Sequence, residues 1–206
     1  MNKIVFLGDS ITDAGHCFSE NLLGDGYVNL VDKELKMQST GGKTYQIMNR
    51  GHDGFTIHGV WRMLEYDCIS MKPDVVSLLI GCNDAGVVMN TGRSLAEQQF
   101  AECYEAVIRE IKNHTHAKII CMAPFILPHP REYVNWIPVI REIERIERNI
   151  AEKYQTGYVP LQDELVKVAE EYGYERITVD GIHLCECGNY VVAKMWEKAF
   201  LEAITD

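Results

Sequence analysis

Along this chain, short apolar runs alternate with longer segments in which apolar residues recur every three or four positions. Five of the runs, residues 3–7, 45–49, 75–80, 118–123 and 158–161, have the length and bounding residues of buried strands. The segments between them carry the helical period. Val28, Val31 and Leu35 mark one face of 27–37, and Val60, Trp61, Leu64 and Cys68 mark 57–69. Phe100, Tyr104, Val107 and Ile111 mark 93–112. Ile143, Ile146 and Ile150 form a stripe among Arg and Glu over 139–154, and 190–203 closes the chain. Strands that alternate with helices predict an α/β fold, a five-stranded parallel sheet with helices on both faces. Such a three-layer sandwich binds ligands outside the carboxyl ends of its strands.

Composition narrows the classes of partner. The 206 residues suit one domain spanning 1–206, with 47% hydrophobic and 24% charged positions. A net charge of -10 with no basic run argues against nucleic acid and anionic membrane surfaces. No apolar stretch approaches the ~18 residues of a membrane span, and the first one is too short for a secretory leader. Seven scattered cysteines, several in apolar segments, predict reduced core residues in a cytoplasmic protein. His183, Cys185 and Cys187 could begin a zinc site, but no second ligand pair stands at a workable spacing. No metal or cofactor is expected.

The strand ends carry the chemistry. The first delivers Gly8-Asp9-Ser10, the second Asn49-Arg50-Gly51-His52-Asp53-Gly54, the third Gly81-Cys82-Asn83-Asp84, and Asp180-Gly181-Ile182-His183 follows the fifth. Each has a plain structural reading: Ser10 to Asp13 fits a helix capping box, and the Gly and Asn-Asp pairs suit turns or caps. Together they meet the needs of ester cleavage. A serine hydroxyl requires a base, and histidine titrates near neutrality. An acid three residues before the histidine can reach its near ring nitrogen and leave the far one for Ser10. Gly51 N–H and the Asn83 amide are candidate donors to an oxyanion. The stretch after the fourth strand holds four of the six prolines, with Phe125, Tyr133 and Trp136. Phe125 and Trp136 are candidate substrate contacts, since aromatic rings suit a sugar face or a small acyl group.

The ordered set GDSITD, NRGHDG, GCND and DGIH resembles the SGNH hydrolases, the GDSL esterases and lipases. The resemblance implies a flavodoxin-like fold, Ser10 as nucleophile with Asp180 and His183, and an oxyanion hole of Ser10, Gly51 and Asn83. LGDGYVNLV, WRMLEYDCI, KPDVVSLLIGCND and APFILP are most similar to the acetylxylan-esterase-like branch. That implies a small-molecule ester substrate, an acetylated carbohydrate, and possible homo-oligomers. Ala85-Gly86 replaces a bulky residue common in those relatives, and Leu184 replaces the usual proline. A thioesterase or lysophospholipase-like acylhydrolase on the same residues, and a noncatalytic carbohydrate-binding protein, are the alternative readings.

Overall fold

The computed structural model describes residues 2–38 and 44–205. Five parallel strands, β1 (Asn2–Gly8), β2 (Tyr45–Gly51), β3 (Val75–Leu79), β4 (Lys118–Met122) and β5 (Gly157–Val159), pair in the order β2-β1-β3-β4-β5. That is the flavodoxin-like order, with β1 and β3 flanking the switch point. Gly8 pairs with Gly51 on one side and Leu79 on the other, so three strands end together.

The two-residue period divides each central strand between two cores. Ile4 and Phe6 of β1, Leu79 of β3, and Ile120 and Met122 of β4 face one side. Val5, Leu7, Val76, Leu78, Ile119 and Cys121 face the other. Helices α2 (Tyr27–Gln38) and α9 (Glu186–Thr205) cover the first side. Helices α3 (Ile57–Asp67), α5 (Phe100–His114) and α6 (Ile137–Tyr154) cover the second. Four helices complete the described chain: α1 (Ser10–Asp13), α4 (Cys82–Thr91), α7 (Gln162–Tyr172) and α8 (Tyr174–Ile177). No helix among the described residues is long and apolar enough to cross a membrane.

The expected strands and helices are present, with two departures. The helix expected from residue 93 starts at Phe100. Before it, the Glu97 carboxylate takes both the N–H and the hydroxyl of Ser94 at 2.8 Å, and Gln99 turns to φ 54°. That local hydrogen bonding competes with a helical ladder. Helices α4 and α7 were not anticipated. In α4, Gly86, Val87, Val88 and Asn90 are poor helix formers, and packing overrides propensity.

Trp196 anchors the first core. It is fully buried, stacks on Phe200 at 4.9 Å, meets Phe6 at 5.0 Å and donates its indole N–H to Ser77 Oγ at 3.0 Å. Trp196→Ala is expected to cost about 3–5 kcal/mol of stability. Urea unfolding followed by circular dichroism measures it.

Candidate active site

Ser10 is the first residue of α1. The cap is Asp9, not Ser10: its extended backbone precedes the helix and its carboxylate accepts the Ile11 N–H at 3.0 Å. The capping-box reading of Ser10 is therefore displaced by one residue, which leaves the serine hydroxyl free. Asn49, at 2% exposure, reaches across from β2 and donates to the carbonyls of Thr12 at 2.6 Å, Asp13 at 3.3 Å and Leu23 at 2.9 Å. Carbonyls at a helix end lack intrahelical partners, and here one buried amide supplies them.

The loop after Ile177 brings the imidazole to the serine. Thr178 Oγ1 accepts the Gly181 N–H at 2.7 Å, and Gly181, at φ 96°, accepts the Leu127 N–H at 2.8 Å. Asp180 Oδ1 takes the backbone N–H groups of Ile182 and His183 at 2.9 and 2.8 Å. Its Oδ2 lies 2.7 Å from His183 Nδ1, and His183 Nε2 lies 3.0 Å from Ser10 Oγ. The structure thus joins Ser10, His183 and Asp180 in one hydrogen-bonded line. Burial works upward on the Asp180 carboxyl. The His183 ring and the two backbone donors outweigh it and hold the group below the usual aspartate range.

The oxyanion side differs from the expectation at one position. Gly51 N–H is already donated to Asn49 Oδ1 at 2.9 Å, and Gly51 is a buried residue of β2 packed on the backbone of Thr12 and Asp13. It has no N–H to offer a ligand. Three residues on, Gly54 turns the chain at φ 72° within a His52–Phe55 hydrogen-bonded turn, with open space where a Cβ would stand. Among the described residues, neither Gly54 N–H nor Ser10 N–H is donated within the chain. Asn83 Nδ2 donates to Phe55 O at 2.9 Å, which fixes the amide while its second N–H stays available. Sequence alone quoted both glycines. Only the strand's end at Gly51 separates them.

Gly54, Thr56, Asn83, Gly86, Trp136 and Ile182 line a cleft of about 400 Å³. It adjoins the serine and histidine through Ile182, the chain neighbour of His183. Larger hollows of about 560 and 580 Å³ lie elsewhere and contain none of these residues. Trp136 lies 3.5 Å from where a Gly86 Cβ would stand, so the missing side chain at 86 leaves room for the indole. Phe125 is corrected: it is fully buried in the core beneath β4, away from any ligand. Its neighbour Ile126 exchanges two 2.8 Å hydrogen bonds with the Gln162 amide, which draws this stretch inward. His183, Cys185 and Cys187 do not bring their donor atoms together.

Two buried acids support the site and had no role in the sequence reading. Asp84 is inaccessible and holds the Ile57 N–H with both oxygens at 3.2 Å. Burial pushes its pKa up to about 7. Burial, aided by the charge of Asp84, also lifts Asp9 to about 7. Between the ordinary carboxyl range of ~4 and these values, the folded chain keeps protons that the unfolded chain releases, so stability falls as pH rises. The urea midpoint is expected to be higher at pH 5 than at pH 8, and Asp84→Asn is expected to narrow that difference.

Residues 6–189 match the GDSL-like lipase/acylhydrolase family. An acetylxylan esterase of Geobacillus stearothermophilus is 28% identical over 98% of this chain and 93% of its own length. The crystal structure of Axe2, an acetylxylan esterase of that organism, superposes with a TM-score of 0.85 at 25% identity, covering 96% of this chain and 93% of Axe2. A Parabacteroides merdae protein labelled a GDSL-like lipase gives a TM-score of 0.86 at 27% identity over 96% and 94% of the two chains. The chain belongs to the GDSL-like lipase/acylhydrolase family and is a carboxylic ester hydrolase.

Proposed function

We propose that this domain is a serine esterase that removes small acyl groups, chiefly acetyl, from sugars. The observation that carries the reading is the continuous line from Ser10 Oγ through His183 to Asp180, at 3.0 and 2.7 Å. His183 Nε2 takes the hydroxyl proton as Oγ attacks the ester carbonyl, and Asp180 steadies the imidazolium. The oxyanion accepts the N–H groups of Ser10 and Gly54 and the free N–H of Asn83. His183 then protonates the departing alcohol and later deprotonates the water that releases the acid, which restores Ser10.

The cleft supports a small acyl group on a carbohydrate. At about 400 Å³ it is short for a long acyl chain, and Trp136 offers an aromatic face to a sugar ring beside the Asn90 and Thr91 polar groups. The similarity to acetylxylan esterase points the same way. Seven free cysteines fit a reducing, cytoplasmic setting.

Hydrolysis of p-nitrophenyl acetate by the purified protein tests the serine. Ser10→Ala is expected to lower turnover at least ~10³-fold, and equal rates in both proteins would overturn the assignment. Asn83→Ala is expected to cost roughly 10²–10³ in kcat. Acetylated xylo-oligosaccharide is expected to be turned over faster than p-nitrophenyl octanoate. The reverse order would discard the sugar while leaving the serine in place.

A further inference from the structure

The segment that leaves the nucleophile's helix carries a second group of donor atoms, which the ester chemistry does not use. Asp13 closes α1, and His16 and Cys17 lie in the 3-10 turn His16–Phe18. One carboxylate oxygen, one imidazole nitrogen and Cys17 Sγ lie within 4.8 Å of one another. The Asp13 and His16 side chains are 6% and 10% exposed, whereas Cys17 is open to solvent.

The spacing suits one ion. Cys17 Sγ is 3.8 Å from His16 Nδ1 and 3.6 Å from Nε2. Nitrogen and sulfur ligands at ~2.0 and ~2.3 Å from a tetrahedral centre stand ~3.6 Å apart. A second observation comes from behind the loop. Asp67 is 2% exposed, and its Oδ1 has no hydrogen-bond partner; Arg50 Nε, 3.9 Å away, is likewise buried without one. Burial, Asp13 and Asp67 all push the Cys17 thiol above its ordinary range, and Arg50 opposes them. Asp13 and Asp67 thus set two carboxylates against the one guanidinium of Arg50, an excess that a bound divalent cation offsets. The other oxygen of Asp67 is engaged by His52 Nε2 at 2.8 Å.

We propose that Asp13, His16 and Cys17 form a binding site for a divalent transition metal of borderline softness, zinc above all, with solvent completing the tetrahedron. A thiolate and an imidazole beside a single carboxylate disfavour magnesium and calcium, which require oxygen ligands. Binding breaks the Cys17 S–H bond, releases that proton to solvent and forms a sulfur–metal bond. The proton that His16 Nδ1 shares with Asp13 moves through solvent to Nε2, so that the neutral imidazole binds through Nδ1. The 2.5 Å hydrogen bond between His16 Nδ1 and Asp13 Oδ1 then opens, because two ligands of one tetrahedral ion stand ~3.3 Å apart. The ion ties the 3-10 turn to the last residue of α1.

The full chain, stripped with chelator and dialysed, is titrated with zinc alone by calorimetry and with cobalt(II) by absorption spectroscopy. The expected result is one ion per chain with a thiolate-to-cobalt charge-transfer band. Cys17→Ser is expected to abolish the band and weaken zinc binding at least ~10-fold, and His16→Ala to weaken it comparably. Absence of saturable binding in the unaltered chain overturns the proposal. So does binding that both variants leave unchanged, since the ion would then sit elsewhere. Circular dichroism of the metal-free variants confirms folding, and the exposed Cys17 position decides the matter should His16→Ala not fold.

Discussion

A single buried amide, Asn49, determines where Ser10 sits. It donates to the carbonyls of Thr12, Asp13 and Leu23 and accepts the N–H of Gly51. A helix of four residues has almost no internal hydrogen bonding of its own, so α1 depends on what holds its ends. Asp9 holds the first end, and Asn49 holds the second from the neighbouring strand. The same amide occupies the Gly51 N–H, so that the free backbone N–H lies in the turn beyond the strand, at Gly54.

The site is assembled from segments distant in sequence by a chain of such tethers. Asp84 receives the first N–H of α3, while the neighbouring Asn83 holds Phe55 O. The C-terminal side of the turn bearing Gly54 is thus tied, at Phe55 and Ile57, to the start of α4, while the His52 N–H at its other end is donated to Gly8 O. His52 extends the bracing by bonding Asp67 and stacking on Phe55 at 4.4 Å. On the opposite side, Thr178 and Leu127 shape the loop of Asp180 and His183. Buried carboxylates are costly ties in a dry interior. Asp9 and Asp84 bear that cost beside Ser10 and Asn83, and their raised pKa values reduce the negative charge there near neutrality.

Much of this was legible before the structure. Apolar runs with period two and stripes with period 3.6 located the five strands and five of the long helices, since side-chain direction follows the backbone repeat. Ser10, Asn83, Asp180 and His183 each have a plain capping or turn reading, and stood out because together, in order along the strand ends, they meet the needs of ester cleavage. Phe125 and Trp136 were indistinguishable by composition. One aromatic ring lies in the core and the other at the cleft, because the Gln162 amide draws the first part of the Pro-rich stretch inward.

The sequence by itself determined the five strands, five of the long helices, the parallel sheet and the residue types at its carboxyl edge. These depend on local periodicity and on a topology rule that few chains evade. Tertiary structure alone decided that Asp9 rather than Ser10 caps α1. It likewise decided that Gly54 rather than Gly51 keeps a free N–H, and that Asp13, His16 and Cys17 converge. Each outcome turns on which hydrogen-bond partner or neighbouring side chain reaches a group first. That competition is settled by distances of a few tenths of an ångström between segments far apart in the chain, which no local pattern encodes.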